Sequence, residues 1–126
     1  MIKRLLVLLP VLTVLVVSCS NDKPTLRKSR ADSSARDILE YGRALFNQEE
    51  YARAIEEYRY LISHFPDNKK ECAWAQYELA YAYYYMDDYE TAINEFKKVE
   101  TFYPEQSGPI ILSKNMITKI QIEMNQ

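Results

Sequence analysis

Glycine is almost missing from this chain: Gly42 and Gly108 are the only two among 126 residues. With so few, no glycine-rich loop is available to cradle a phosphate. Histidine occurs once, as His64, and cysteine twice, as Cys19 and Cys72. A net charge of −2, with no basic stripe interleaved with aromatics, argues against nucleic acid as a partner. What the chain has in quantity is tyrosine, eleven residues of it.

The first eighteen residues read as an export signal: Lys3-Arg4, then the apolar run Leu5 to Val17, ending at small residues. That run is short for a membrane-spanning helix, which needs roughly twenty apolar residues, and Pro10 interrupts it. Cleavage is therefore expected. Val16-Val17-Ser18-Cys19 resembles a bacterial lipoprotein box. The resemblance implies a diacylated Cys19 thiol at a new amino terminus, which is usually acylated as well. At about 0.8 kcal/mol per buried CH₂, two or three chains give a stable anchor where one would not. Ser20 stands where aspartate would resemble an inner-membrane retention signal, so the expected location is the bacterial cell envelope, at the outer membrane. Removing residues 1–18 takes Lys3 and Arg4 from the 16 basic residues, leaving 14 against 18 acidic, a net −4. The remaining length suits one small domain. With Cys19 lipidated, Cys72 has no partner for a disulfide or a cysteine metal site within one chain.

Residues 19–34 are expected to form the lipidated Cys19 and a flexible tether, polar apart from Leu26 and carrying Pro24. Fifteen flexible residues span on the order of 20 Å. Lys23, Arg27, Lys28 and Arg30 outnumber Asp22 and Asp32, which suits either a segment near anionic headgroups or a solvated spacer.

From residue 35 the chain repeats itself. Tyr51-Ala-Arg-Ala54-Ile55-Glu-Glu57-Tyr58 recurs as Tyr89-Glu-Thr-Ala92-Ile93-Asn-Glu95-Phe96, 38 residues later. The same shift carries His64-Phe65-Pro66 onto Phe102-Tyr103-Pro104, Gly42 onto Ala80, and Glu49-Glu50 onto Asp87-Asp88. A period of this length signals a solenoid. Apolar or small residues at helical spacing, Ile38, Tyr41, Ala44, Leu45 and then Tyr51, Ala54, Ile55, Tyr58, Leu61, Ile62, give two helices per unit. Proline closes the second helix of each unit.

Gly42 or Ala80, Tyr51 or Tyr89, Ala54 or Ala92, Tyr58 or Phe96, and Pro66 or Pro104 together resemble the tetratricopeptide repeat. The small residues suit a helix crossing, where bulk would push the axes beyond 8 to 10 Å. The period exceeds the family's 34 by four residues, inserted after Pro66, and one extra turn absorbs them in a helix from about Lys70 to Met86. That long form, with Phe65-Pro-Asp-Asn68 ahead of Ala73-Trp-Ala-Gln-Tyr77, is similar to the repeats of BamD (YfiO)-type outer-membrane assembly lipoproteins and YbgF-type periplasmic proteins. The expected fold is all-α. It is an α-solenoid of two hairpins, about 35–68 and 73–106, with a capping helix over about 107–125 whose apolar stripe is Ile110, Ile117, Ile120 and Met124.

Nothing in the chain assembles a catalytic set, and the expectation is a binding protein without enzyme activity, cofactor or metal. His64 beside Phe65-Pro66 suits a partly exposed cation at a helix end, and Glu49-Glu50 and Asp87-Asp88 suit favourable charge at a helix start rather than paired catalytic carboxylates. Cys72 lies at a helix start but reads as inert packing. Trp74, Tyr77, Tyr81, Tyr84 and Tyr85 fall on one side of their helix, and Ala73, Ala80 and Tyr83 on the side facing its neighbours. The family resemblance places Tyr77, Tyr81 and Tyr84 on a concave groove, with Arg43 and Phe46 as the adjoining wall. Aromatics are enriched in binding hot spots, so this groove is the expected site for an extended segment or helix of another envelope protein. Leu39, Tyr77 and Tyr81 occupy places where a carboxylate clamp would need polar donors, which disfavours an acidic C-terminal peptide as ligand. A pilotin-like role, a carbohydrate-binding surface and self-association through the exposed end are the alternatives.

Overall fold

A computed structural model describes residues 32–126; Cys19, the export signal and the tether as far as residue 31 lie outside the described residues. Five helices follow one another: α1 (Ala35–Asn47), α2 (Tyr51–His64), α3 (Lys69–Tyr85), α4 (Tyr89–Phe102) and α5 (Ser107–Met124). Ser34 starts α1 through a capping box. Its hydroxyl accepts from the Asp37 amide at 3.2 Å, while the Asp37 carboxylate accepts from the Ser34 amide at 3.0 Å. Two backbone donors that a helix start leaves unsatisfied are thereby paired.

The period is visible in the backbone. α2 and α4 each have 14 residues and are offset by 38. α1 has 13 residues and α3 has 17, so the four inserted residues form one extra turn at the start of α3, which begins at Lys69 and ends at Tyr85. Both hairpins turn in the same way. Glu49 and Asp87 both take φ of 61°, the left-handed region. The Glu50 amide reaches back to the Leu45 carbonyl, and Asp88 to Tyr83, each at 3.0 Å. This is the Schellman closure, made here with an acidic residue where glycine is usual.

Packing follows from one small residue per hairpin. A Cβ built on Gly42 would lie 2.4 Å from Tyr58 Cε1, so the Tyr58 ring sits directly against the α1 backbone. Ala80 and Phe96 occupy the same positions in the second hairpin and share a buried cluster with Ala92 and Ile120. The Tyr58 hydroxyl is buried with no hydrogen-bond partner among the described residues, whereas Phe96 has no hydroxyl to satisfy. α3 packs against each of the other four helices, which is why Cys72, Ala73, Ala75, Leu79, Ala80 and Ala82 are all buried along it. Gln76, also buried, donates to the Glu95 carbonyl at 3.1 Å and to its carboxylate at 2.8 Å, pinning α3 to α4.

The closing helix departs from expectation at its end. Pro109 lies in the first turn of α5; Ile110 and Ile120 are buried and Ile117 half-buried, but Met124 is 56% exposed. The 38-residue register explains this, because Met124 corresponds to Met86, one residue past the end of α3 and also exposed. Thr118 corresponds to Ala80 but lies in the open, since among the described residues no helix follows to cover it.

The Gly42 contact gives a paired test. Gly42→Ala, despite alanine's better helix propensity, is expected to destabilise by about 1–3 kcal/mol, because the buried Tyr58 ring has no room to retreat. Gly108→Ala, whose Cβ would stand 3.6 Å from Trp74, is expected to be neutral or stabilising by up to about 1 kcal/mol. Urea denaturation of the two variants checks this, and equal effects would contradict it.

Candidate functional site

The first helices of the units, α1, α3 and α5, present one continuous surface. On α3, Tyr77, Tyr81 and Tyr84 follow one another with near-parallel rings, centroids 5.9 Å apart for the first pair and 6.0 Å for the second. Trp74 meets Tyr77 edge-on at 6.0 Å at one end. At the other end Tyr85 stands edge-on to Tyr81 at 5.1 Å. From α1, Phe46 lies near-parallel to Tyr81 at 5.7 Å and edge-on to Tyr85 at 5.3 Å. The Arg43 guanidinium sits over the Trp74 ring at 6.0 Å. All seven groove residues expected from the sequence therefore meet in one aromatic belt.

The rings are largely packed on one another. Tyr85 is exposed, while Trp74, Tyr77, Tyr81 and Tyr84 are half-buried. Each of these rings therefore has part of its surface covered by its neighbours and part open. A hydrogen bond with Tyr85, together with burial, pushes the Tyr81 hydroxyl well above its ordinary value of 10, and burial raises Tyr77. Both stay neutral at any ordinary pH and act as hydrogen-bonding phenols.

Several groups at this surface are not obvious from the sequence pattern. Glu78, the one acid between Trp74 and Tyr85, receives Arg43 in a forked contact, Nε and Nη2 each 3.1 Å from Oε1. Glu40 accepts from Nη1 at 3.1 Å. Burial raises the Glu78 carboxyl above its usual 4.5, and Arg43 partly offsets that. From α5, Lys119 lies 4.9 Å over the Tyr84 ring, and the Tyr84 hydroxyl donates to Glu123 at 3.3 Å. Tyr51 and Tyr89, legible only as repeat positions, extend the belt through Tyr85 at 5.6 Å and Tyr84 at 5.7 Å. Beside Tyr51, a shallow depression of about 370 Å³ is lined by Glu49, Glu50, Tyr51, Ala52, Arg53 and Met86.

The remaining reactive side chains take structural places. Cys72 is buried, its thiol donating to the Phe65 carbonyl at 3.1 Å, and burial pushes its pKa up, away from a reactive thiolate. His64 is exposed, stacked on Tyr60 at 3.9 Å, with Nδ1 3.0 Å from the Tyr60 carbonyl. The acidic turns differ in detail. Asp88 caps α4 by accepting from the Thr91 amide at 3.2 Å, whereas Glu50 makes no such cap and pairs with Arg53. The longer glutamate meets the arginine side chain of the same first turn instead of the backbone amides there. Among the described residues no group of His, Cys, Asp and Glu is placed to hold a metal ion, and no helix is long and apolar enough to cross a membrane.

Helix hairpins in register, a small residue at each crossing and a belt on the first helices agree with a comparison against protein families, which matches residues 38–68 and 74–105 to the tetratricopeptide repeat. The chain belongs to the tetratricopeptide repeat family. No curated protein and no solved structure matches it. Tetratricopeptide repeats generally mediate contacts between proteins and generally serve as scaffolds rather than enzymes.

The Arg43–Glu78 pair yields a pH-dependent test. Arg43→Met leaves Glu78 half-buried and uncompensated, so its carboxyl rises further. The raised folded pKa means that stability is retained below the unfolded value and lost as pH climbs through the folded one. Because the pair is partly exposed, a loss of about 1–2 kcal/mol is expected at pH 7, below the fully buried range. The loss should shrink towards pH 4.5 and disappear in the Arg43→Met, Glu78→Gln double variant. Denaturant titrations at several pH values check this, and a pH-independent loss would contradict it.

Proposed function

We propose that this tetratricopeptide repeat protein is a lipid-anchored scaffold of the bacterial cell envelope, held at the outer membrane through Cys19, that binds an extended segment or helix of another envelope protein along the Trp74 to Tyr85 face. The observation that carries this reading is the aromatic belt of Phe46 on α1 and Trp74, Tyr77, Tyr81, Tyr84 and Tyr85 on α3, edged from α5 by Lys119 and Glu123. The charges along its edges are paired, Arg43 with Glu40 on α1 and Lys119 with Glu123 on α5. Rigid aromatic side chains supply contact area at low entropy cost, and phenolic hydroxyls can pair with a peptide backbone.

The long first helix and lipoprotein box, similar to BamD (YfiO)-type and YbgF-type proteins, favour a part in outer-membrane protein assembly; pilotin-like assembly of a pilus or secretin is a narrower form of the same role. Carbohydrate binding is less well supported. Sugars stack on free ring faces, and here Phe46, Tyr77, Tyr81 and Tyr84 lie in offset stacks that take up part of each face.

Two experiments test the proposal. A photo-crosslinking residue at the exposed Tyr85 should capture one recurrent envelope protein in cells, a residue at Glu56 on α2 should not, and Tyr81→Ala should abolish the capture. Equal labelling at both positions, or capture indifferent to Tyr81→Ala, contradicts the groove. For the anchor, the mass of the mature chain should correspond to a diacylglyceryl-modified Cys19 at its amino terminus, and an unmodified Cys19 contradicts it.

A further inference from the structure

Ile111, Asn115, Thr118 and Ile122 form a stripe at spacings of 4, 3 and 4 along α5, across the helix from the buried Pro109, Ser113 and Ile120. All four are exposed, Ile111 by 58% and Ile122 by 57%. The register shows what this stripe is. Shifted by 38 it becomes Ala73, Tyr77, Ala80 and Tyr84 of α3, and by another 38 Ala35, Leu39, Gly42 and Phe46 of α1. In α3 this face meets α4, with Tyr77 on Phe96 at 5.5 Å and Tyr84 on Tyr89 at 5.7 Å. In α1 it meets α2, with Gly42 on Tyr58. Twice in the chain, then, this face is covered by an antiparallel helix. On α5 nothing among the described residues covers it.

We propose that the occupant is the α5 helix of a second copy, packed antiparallel about a two-fold axis between Met116 and Ile117. The stripe reads alike from both ends: isoleucine outside, short polar residues inside. In an antiparallel pair centred there, Ile111 packs on Ile122 of the second copy, and Asn115 meets Thr118. The Thr118 hydroxyl already donates to the Lys114 carbonyl at 3.1 Å, which leaves its oxygen free to accept from the Asn115 amide across the axis. Lys114 then stands beside Lys119 of the second copy. Both arrive with a carboxylate, Lys114 with Glu100 at 2.8 Å and Lys119 with Glu123 at 3.8 Å, so ion pairs meet there rather than bare cations.

The other end of the solenoid makes this a closed pair rather than a filament. The outer face of α1 carries Arg36, Asp37, Glu40 and Asn47, all exposed. Head-to-tail stacking would press Ile111 and Ile122 onto charged side chains, whereas pairing like faces buries them and stops at two. An 18-residue helix is about 27 Å long. A single pair of such helices buries on the order of 1,000 Å² in all, at the lower edge of specific interfaces, so the dimer is a weak one.

The test uses the full chain in density-matched detergent with micelles in excess, followed by sedimentation equilibrium. The wild type should show a concentration-dependent monomer–dimer equilibrium. Ile111→Glu and Ile122→Lys should each weaken it by about tenfold or more. Because residue 111 faces residue 122 of the other copy, mixing the two variants should restore dimers, with one glutamate–lysine contact and one isoleucine–isoleucine contact per pair. A monomeric wild type at the highest concentration overturns the proposal. So does a dimer that survives both substitutions, or a mixture that stays monomeric. Far-ultraviolet circular dichroism establishes that both variants keep their helices, as expected for such exposed positions.

Discussion

A ring seated against a residue with almost no side chain holds each hairpin closed. Tyr58 occupies the space that a Cβ of Gly42 would need, and Phe96 lies with Ala80 in the second unit. This contact sets the distance between the two helices of a unit. That distance in turn lets Leu61 and Val99, fully buried, fill the layer towards the next first helix. Larger residues at the crossing would separate the axes and open the layer along its whole length, because interiors at crystal-like density have no slack to absorb the change.

The same constraint produces the aromatic belt. α3 packs against every other helix, so it must be apolar towards α2 and α4 while still offering a surface between α1 and α5. Alanines and Leu79 meet the first demand, since they allow close approach, and tyrosines meet the second, since an amphipathic ring tolerates half-burial with its hydroxyl in water. Burial of Glu78 within this surface is possible because Arg43 reaches it from α1. The belt is thus partly self-supporting: its rings hold one another in place, which would lower the entropy cost of the binding proposed for this face.

Much of this was legible in the sequence for a physical reason. A helix crossing demands a small residue, a helix end tolerates proline, and both demands recur with the unit, so Gly42 and Ala80, Pro66 and Pro104 mark the fold by position alone. That Trp74, Tyr77, Tyr81, Tyr84 and Tyr85 share one side of α3 was legible because helical spacing fixes which side chains share a face, whereas Arg43 and Phe46 on α1 came from the family resemblance. What spacing does not fix is how side chains from different helices meet. The stacking of Phe46 on Tyr81, the reach of Lys119 over Tyr84 and the fork from Arg43 to Glu78 depend on the offset between helices. Met124 was misplaced for a related reason: helical spacing continued the apolar stripe into the last residue of α5, a position that in the register of α3 is Met86, just past the helix end, and that is exposed in both. Glu50 and Asp88 hold equivalent positions, yet only the shorter side chain bends back to cap its own helix.

The end of a solenoid poses the problem that every interior unit solves by having a neighbour. At the α1 end the chain answers with charge, placing Asp37 and Glu40 outward. On α5 the position held by Ala73 in the second unit and Ala35 in the first carries Ile111 instead, a larger apolar residue with nothing over it among the described residues. Were that face meant only for water, a polar residue would serve, as it does on α1. Isoleucine there, and again at Ile122, adds apolar area where it is least sheltered, and such a choice makes physical sense when another helix removes it from solvent. On α5, Lys119 and Glu123 are turned towards Tyr84, and Ile111 and Ile122 are turned away from the buried side. In the register of α3 the stripe positions are those of Ala73, Tyr77, Ala80 and Tyr84, so the face that α4 covers there adjoins the aromatic belt and shares Tyr77 and Tyr84 with it.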